Sequence, residues 1–305
     1  MRPLLLPSSA ALLLLLTACG TQNSGSSGGD SASACRTVAP GDPSGAEQDG
    51  VRIIGPTGAG CQDVAYEVTN RQREPFTFTI TFDDRADTGA VIANGRETVA
   101  SVPAGRTVRR TLTRSDGGAD QVAISKVRSV PADEAPSEGG ACPASGVRVY
   151  ADEGDAAMGL RVVGLHLENC GTGATYRLDG YPRLQLLDED HEPVDGVRIL
   201  RGGAAIASGT GQDEPPRALV LRPGERARTG LVWRNTTGAG DPVNAPYVRI
   251  RAKPGAAPVT VVPELDLGTT GQLGVGAWQR EDAASGPAAG SDRPVSPPSP
   301  SSVRP

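Results

Sequence analysis

The amino-acid sequence predicts an all-β protein with two Ig-like β-sandwich domains in tandem. Three observations lead to this prediction: a composition rich in turn-forming residues, short runs in which apolar and polar side chains alternate, and four cysteines that divide into two pairs. The chain contains 40 glycines and 26 prolines among 305 residues, and only 3% of its residues are aromatic. Glycine and proline at this frequency favour short strands joined by turns over long helices.

The first predicted domain covers residues 35–130. Phe76, Phe78, Ile80 and Phe82 alternate with threonines, as in a strand with one buried face. All three phenylalanines of the chain lie in this run, so we expect it to form the centre of the core. Together with the neighbouring runs it gives about seven short strands, a number typical of a β-sandwich.

A second predicted domain, residues 141–280, repeats this pattern. Leucines alternate with other residues up to Asn169, as apolar residues do up to Asn70 in the first domain, and a Pro–Gly turn later opens a strand in each. Between the domains, residues 131–140 are polar, rich in proline and glycine, and without apolar periodicity. This composition predicts a linker.

The N-terminal residues 1–18 are expected to be a lipoprotein signal peptide. Arg2 precedes an apolar run over residues 4–16, which is shorter than the ~20 residues of a transmembrane helix. The run ends in Leu16-Thr17-Ala18-Cys19, which resembles the lipobox of bacterial lipoproteins. The resemblance implies cleavage before Cys19, acylation of Cys19, and anchoring in membrane lipid at the extracytoplasmic face of the cell membrane. The alternative is an ordinary secretory signal with a chance cysteine.

Two segments have the composition of disordered chain. Residues 19–34 follow the signal with glycine and serine and are expected to be a flexible tether that begins at the lipidated cysteine. Residues 281–305 are rich in proline and serine and are expected to be a disordered tail. The tether contains a formal G-x-S-x-G match at residues 25–29, but no strand and helix flank it, so it does not predict a nucleophile elbow.

Four cysteines remain once Cys19 is assigned to lipid. An even number in an exported chain predicts disulfides, and three pairings are possible. We expect pairing within each domain, Cys35–Cys61 and Cys142–Cys170, because both bridges then close loops of similar length. A metal site is the alternative, but the chain has no C-x-x-C motif and only two histidines.

Five motifs of the second domain occur in order along the chain. They are LENCG at 167–171, DGYP at 179–182, RPG at 222–224, WRN at 233–235 and LGTTG at 267–271. The run that contains them, from Cys142 to Trp278, resembles DUF 4232, a domain of unknown function common in exported actinobacterial proteins. Residues 35–130 resemble FxLYD-type Ig-like domains more loosely. Neither resemblance implies an established activity.

Candidate catalytic residues are scarce. His166 is expected to face solvent, because the leucines on either side of it should face the core. His191 lies in an acidic hairpin, and no recognisable nucleophile accompanies either histidine. Asp87-Thr88-Gly89 resembles the tripeptide of aspartic proteases, but that mechanism needs two such carboxylates, and no second D-[ST]-G occurs. We therefore expect a turn there, and no catalytic residues in the chain.

The acidic hairpin over residues 188–195 carries Asp188, Asp190, Glu192 and Asp195. One interpretation is a weak extracellular Ca²⁺ site, and the other is a solvated hairpin. The second is favoured because a proline stands where an EF-hand-like loop needs glycine. The sequence thus predicts no metal and no cofactor.

Two tryptophans and a sequon complete the candidates. Trp233 is expected to be buried in a strand, whereas Trp278 is either buried or exposed for stacking on a sugar or peptide. Asn235-Thr236-Thr237 is a formal glycosylation sequon, which we interpret as a turn.

The net charge of −5 argues against nucleic acid as a partner, because phosphate binding needs a basic surface. We expect a lipid-anchored extracytoplasmic protein that acts as a non-catalytic binding or interaction module at the cell envelope, with a partner in the cell wall or among envelope proteins. One alternative is an envelope hydrolase that uses a carboxylate pair such as Asp188 with Glu192. Another is a structural spacer or an accessory subunit of an envelope complex.

Overall fold

The regular structure of the chain consists of β-strands. The computed structural model describes residues 46–58, 63–86, 88–114 and 121–281. Within these ranges there is no helix, so the all-β prediction is confirmed. The predicted signal peptide, tether, Cys35–Cys61 bridge and C-terminal tail, together with Cys19 and Asp87, lie outside the described residues.

The first half of the described chain, residues 46–131, forms two antiparallel sheets. One has the strand order β1-β2-β3-β6 and the other β5-β4-β7. Their strands are β1 Glu47–Gln48, β2 Val51–Thr57, β3 Asp63–Thr69, β4 Phe76–Arg85, β5 Val91–Val102, β6 Thr107–Leu112 and β7 Gln121–Pro131. Apolar side chains from both sheets share one core.

The phenylalanine strand is the middle strand of its sheet, as the alternation predicted. In β4, Phe76, Phe78, Ile80 and Phe82 are each at most 5% exposed, and the threonines between them are half-buried on the other face. Phe82 makes an edge contact with the ring of Tyr66 in the opposite sheet. Burial of that ring raises the pKa of the Tyr66 hydroxyl to about 12.

The second half, residues 132–281, contains the remaining strands. Its largest sheet has the order β13-β20-β15-β10-β8, with β21 beside β15 and β9 beside β10; the other pairings are β12-β17-β18, β11-β14 and β16-β19. The strands are β8 Val147–Ala151, β9 Asp155–Ala157, β10 Leu160–Asn169, β11 Tyr176–Asp179, β12 Arg183–Leu187, β13 Arg198–Arg201, β14 Ala218–Leu221, β15 Arg226–Arg234, β16 Asn244–Ala245, β17 Tyr247–Arg251, β18 Val259–Val261, β19 Leu265–Asp266, β20 Gln272–Val275 and β21 Gln279–Glu281.

The two halves share the connectivity of their central strands. In the first half, β3 lies between β2 and β6, and in the second half β10 lies between β8 and β15. The strand after β3, β4, pairs with both β5 and β7. Its counterpart is split by Gly180-Tyr181-Pro182 into β11, which pairs with β14, and β12, which pairs with β17. The sequence parallel between the halves thus corresponds to a parallel in topology.

A buried asparagine ends the equivalent strand in each half, at Asn70 after β3 and at Asn169 in the last position of β10. Each side-chain amide donates two hydrogen bonds, one to the loop that follows and one to the end of a strand of the facing sheet. The acceptors are the carbonyl oxygens of Glu74 and Val102 for Asn70, and of Ala174 and Leu221 for Asn169, all at 2.8–3.0 Å. Because an amide can donate both of its N–H bonds at once, each asparagine links its strand end to the facing sheet.

Both tryptophans belong to the core of the second half. Trp233 donates its indole N–H to Asp266 Oδ1 at 2.8 Å, and Trp278 donates to the carbonyl of Ala252 at 3.0 Å. Trp278 is fully buried. The alternative of an exposed Trp278 that stacks on a ligand is therefore wrong. The residue lies between β20 and β21, and its backbone N–H donates to the carbonyl of Gly180 at 2.8 Å.

The Cys142–Cys170 disulfide is present, as predicted. Its Cα atoms lie 5.6 Å apart, and the bridge ties the start of the second half to the residue that follows β10. A covalent link here reduces the conformational freedom of the unfolded chain and stabilises the strand end that carries Asn169.

The turn before β15 provides an acid-sensitive contact. Glu225 Oε2 accepts hydrogen bonds from the backbone N–H of Arg222 at 2.6 Å and from Arg280 Nη1 at 2.7 Å. These bonds lower the pKa of Glu225 below its ordinary value of 4.5.

Because the folded pKa is depressed, the contact stabilises the fold above pH 4.5, and this contribution is lost as the pH falls through the lower folded value. We expect Glu225→Gln to lower the melting temperature at pH 7 and to change it much less at pH 3. Thermal melts at both pH values measure this, and an equal difference at the two would contradict it.

Candidate functional site

The acidic hairpin uses its first carboxylate to close its own turn. Asp188 Oδ1 accepts hydrogen bonds from the backbone N–H groups of Asp190 and Glu192, both at 2.9 Å. In the described ranges of the chain, no group of three or more His, Cys, Asp or Glu side chains is arranged to hold a metal ion. The hairpin carboxylates do not converge on a common point as a Ca²⁺ loop requires.

His191 lies in this hairpin, as predicted, but its ring joins the two halves of the chain. It is stacked on the ring of Tyr247 at 4.4 Å and makes an edge contact with Phe76 at 5.6 Å. Its Nε2 lies 2.7 Å from the carbonyl oxygen of Ser129. The backbone of His191 has a φ of 64°, a left-handed conformation that is uncommon outside glycine. His191 therefore contacts residues of both halves as well as lying in the hairpin turn.

We call the contact between the halves the junction. Its apolar centre comprises Val130, Leu187 and Tyr247, with Ala135 and Val262 packed against them. Ser129 donates its backbone N–H to the hydroxyl of Tyr247, and burial raises the pKa of that hydroxyl.

Ion pairs surround this apolar centre. Glu264, whose φ is 55°, accepts two hydrogen bonds from Arg128 at 2.8 and 3.0 Å. Burial alone would lower the pKa of Arg128, but the hydrogen bonds to Glu264 raise it above its ordinary value. The two halves are thus fixed to each other by apolar and by charged contacts.

Residues 131–140, predicted as a linker, make specific contacts with the second half. Glu134 is buried and accepts from Thr260 Oγ1 at 2.6 Å and from Arg249 Nε at 2.8 Å. Farther along, Arg148 donates to the hydroxyl of Ser137 and to the carbonyl of Gly140. The polar composition of this segment is therefore used for hydrogen bonds that hold it against the sheet.

We expect Glu134→Ala to lower the free energy of unfolding by about 1–3 kcal/mol, because a buried hydroxyl and a guanidinium lose their acceptor. Glu138→Ala, an exposed carboxylate four residues away, is the matched control and should change stability by less than about 0.5 kcal/mol. Urea melts of both variants give the two values. Equal effects of the two substitutions would show that the contacts of Glu134 do not stabilise the fold.

His166 is the centre of a second polar cluster, on the outer face of the large sheet. Leu165 and Leu167 are fully buried, so His166 points to the opposite side of β10, as predicted. Its side chain is nevertheless only 19% exposed. The ring lies parallel to that of Tyr150 on β8, at 4.9 Å. The ring is largely covered on this outer face because its cross-strand neighbour is a large aromatic residue.

Each ring nitrogen of His166 lies opposite a carboxylate. Nε2 is 3.3 Å from Asp152 Oδ2, and Nδ1 is 3.6 Å from Glu281 Oε1. Asp152 is held in place because its other oxygen accepts the backbone N–H of Gly164 at 2.8 Å. We call His166, Asp152, Glu281 and Tyr150 the His166 cluster. Burial of the Tyr150 ring raises the pKa of its hydroxyl.

Two buried atoms of the His166 cluster have no hydrogen-bond partner among the described residues. They are Nδ1 of His166 and Oε2 of Glu281. The adjacent carboxylate, Glu168, is instead paired with Arg148 at 3.2 Å and with Arg226 at 3.3 Å. Buried polar atoms without partners are uncommon in native folds, and they mark this cluster as the candidate binding site.

A row of glycines borders the His166 cluster on the same face of the sheet. Gly164 on β10 lies opposite Gly230 on β15, whose carbonyl accepts the N–H of Gly276. The side chain of Gln212, from the loop between β13 and β14, lies over this row, and a Cβ atom at Gly230 would be 2.7 Å from its Cδ atom. The glycines therefore leave room for a polar side chain on a sheet surface.

The ring nitrogens of His166 contact carboxylates, and no serine, threonine or cysteine is among its contacts in the part of the chain described here. Sequence reasoning found His166 but missed its partners. Tyr150 and Asp152 lie on β8 and just after it, and Glu281 lies more than 100 residues farther along the chain. Only the strand register brings them together, and no local motif signals it.

The arrangement of the second half is that of a disulfide-linked β domain with a polar cluster on one sheet face. A DUF4232 domain, described as a domain of unknown function, is found at residues 142–279. No curated protein and no solved structure matches the chain. In the described residues, no helix has the length and apolar character needed to cross a membrane.

Proposed function

We propose that this protein is a lipid-anchored extracytoplasmic binding module without catalytic activity, built from two Ig-like sandwiches. The Ig-like assignment is supported by the repeated topology of the two halves and by the equivalent asparagines Asn70 and Asn169, which join facing sheets in both. The anchoring is supported by the lipobox-like sequence that ends at Cys19, and acylation there would place the domains at the outer face of the cell membrane.

The observation that carries the binding proposal is the pair of partnerless buried atoms in the His166 cluster. Asp188 and His191, which the sequence also offered as candidate site residues, have structural partners. Asp188 closes a turn, and His191 packs against the first half. A histidine between two carboxylates, without a hydroxyl or thiol contact, is better suited to holding a ligand than to activating a nucleophile.

A structural spacer is the second candidate function, and the junction favours it. Apolar packing and the Arg128–Glu264 pair fix the two halves to each other. A rigid two-domain unit would hold a distal surface at a constant distance from an anchored end.

The experiment that separates these functions is cross-linking of intact envelopes, followed by purification of the full-length protein and identification of the captured partners. The variant His166→Ala with Arg226→Ala removes the ring and the exposed cation beside it. The control Arg96→Ala removes an exposed arginine of the first half. We expect the cluster variant to lose a partner that the wild type and the control capture. Identical capture by all three would overturn binding through this face and leave the spacer function.

We expect Cys19→Ala to abolish acylation and to release the protein from the membrane fraction, because the thiol is the acyl acceptor that the lipobox offers. Mass spectrometry of the N-terminal peptide and detergent phase partitioning measure both effects. Cys61→Ala, which removes a cysteine of the first domain, should keep the lipid. A Cys19→Ala variant that still carries the lipid adduct would show that the anchoring assignment is wrong.

A further inference from the structure

Arginines on neighbouring strands are bridged by a glutamate at two places in the protein. Glu67 on β3 lies opposite both Arg52 on β2 and Arg109 on β6, and it pairs with each at 2.9 Å. In the large sheet, Glu168 lies opposite arginines of β8 and β15 in the same way and pairs with them at 3.2 and 3.3 Å. A carboxylate between two guanidinium groups offsets the repulsion of like charges.

A third pair of arginines has no such carboxylate. Arg183 on β12 lies directly opposite Arg251 on β17. Both side chains belong to the outer face, because the residues on either side of Arg251, Ile250 and Ala252, are buried in the core. Among the residues that the structure describes, no carboxylate forms an ion pair with either arginine. Like charges that lie directly opposite each other in a sheet are destabilising, so this pair needs an anion from elsewhere.

A lysine at the end of β17 adds a third cation, which an aromatic ring holds in place. Lys253 Nζ lies 3.9 Å from the centre of the Tyr176 ring. Arg251 extends toward the turn that begins at this lysine, because its Nη1 donates to the carbonyl of Ala256 at 3.3 Å. The backbone N–H of Ala256 in turn donates to the carbonyl of Lys253 at 3.1 Å. A ring face attracts an ammonium group but carries no charge to neutralise it, so Lys253 remains able to bind an anion.

A fourth cation lies near these three. Arg201 on β13 lies over the ring of Tyr181, 5.5 Å from its centre, and Tyr181 precedes Arg183 by two residues. Asp179 is the carboxylate nearest to Arg183 in the sequence, yet it forms no ion pair within the described ranges. The chain as a whole has 35 acidic and 30 basic residues. The excess of cations on this face is therefore a local feature that the overall composition does not explain.

We infer that the outer face of β12 and β17 binds a phosphate group, free or as a monoester, with Arg183 and Arg251 on either side of it and Lys253 as a third donor. A phosphate monoester carries a charge of about −1.5 to −2 at pH 7 and has three strong acceptor oxygens. It can therefore satisfy three cations at once, whereas a single carboxylate has one charge. The guanidinium fork also matches the geometry of phosphate oxygens. The ligand takes the place that glutamate has between the other arginine pairs.

The first test is the melting temperature of the full-length protein in detergent, with and without sodium phosphate. A ligand that binds the folded state raises this temperature. Phosphate also stabilises proteins by exclusion from their surface, so the contribution of the site is the difference between the wild type and Arg183→Gln, with NaCl at equal ionic strength as reference. The Arg183 side chain is exposed, and the variant should fold normally. We expect a larger phosphate shift in the wild type, and equal shifts would contradict the site.

Isothermal titration with inorganic phosphate measures the affinity. We expect a dissociation constant below about 1 mM, weakened about tenfold by Arg183→Gln and by Lys253→Gln. Arg106→Gln, at an exposed arginine of the first half, is the control and should leave binding unchanged. Equal affinity in all variants would overturn the proposal. A second titration with glycerol 3-phosphate identifies the source. Tighter binding of this ester would assign the group to a phosphorylated molecule such as a lipid headgroup, and equal or weaker binding would assign it to free phosphate.

The variant Arg183→Glu gives a test with the opposite sign for stability. It places a carboxylate opposite Arg251, as in the two glutamate bridges, so it should raise the melting temperature in phosphate-free buffer and abolish phosphate binding. A variant that binds phosphate as the wild type does would overturn the proposal. The site lies on a different sheet from the His166 cluster, so its failure leaves the proposed function to its own test.

Discussion

Replacement of Trp278 by alanine should lower the free energy of unfolding of the second half by about 3–5 kcal/mol. The side chain is fully buried, and its indole N–H donates to the carbonyl of Ala252. The substitution removes a large packed volume and also leaves this carbonyl without its donor. Denaturant melts followed by circular dichroism measure the loss, with the fluorescence of Trp233 as a second probe.

Two comparisons make this expectation specific. Trp278→Phe keeps most of the ring volume but not the donor, and it should cost clearly less than Trp278→Ala. Ile199→Ala removes an exposed apolar side chain of β13 and should change stability by less than about 0.5 kcal/mol. If Trp278→Ala is no more destabilising than Ile199→Ala, the residue does not belong to the core, and the possibility of a stacking surface at Trp278 reopens.

Replacement of Asn169 by alanine should cost about 2–4 kcal/mol, a loss that is large for a polar side chain. Its amide donates to the carbonyls of Ala174 and Leu221, and both acceptors would lose this donor. Each unsatisfied buried group costs about 1–3 kcal/mol. Asn169→Asp should be at least as damaging, because a carboxylate cannot donate to a carbonyl.

The matched control for Asn169 is Asn94→Ala, at an exposed position in β5. Its effect should lie within about 0.5 kcal/mol of zero. Urea melts of the three variants measure these changes in the free energy of unfolding. Asn169→Ala within the range of Asn94→Ala would mean that water replaces the amide, and the asparagine would then not determine how the two sheets are joined.

Much of the fold could be predicted from the sequence, because many of its features depend on local sequence patterns. The alternation of Phe76 to Phe82 follows from the period of a strand, and the position of Asn169 at a strand end follows from the break in a similar run. The separation of the cysteines made the Cys142–Cys170 bridge the natural expectation, and the bridge is present. These features need only information from neighbouring residues.

The candidate site was less predictable, because its residues come together only through strand pairing. His166 and Glu281 are brought together by β10, β15 and β21, whose register no local pattern specifies. Likewise, the burial of Trp278 depends on its contacts with Gly180 and Ala252, which are distant from it in the sequence. For the acidic hairpin, the sequence favoured a solvated turn over a Ca²⁺ site, but nothing local indicated that its histidine packs against another part of the molecule.

The junction also has a consequence for the order of events during synthesis. Arg128 lies 136 positions before its partner Glu264 in the sequence, and Ser129 lies 118 positions before Tyr247. A ribosome delivers the first half while those partners have not yet been made. During this interval, Phe76 and Val130 present an uncovered apolar edge, which is the kind of surface that promotes aggregation of nascent chains. The native state of the first half is thus completed only when the last strands arrive, and a chain halted before residue 247 should depend on chaperones for its solubility.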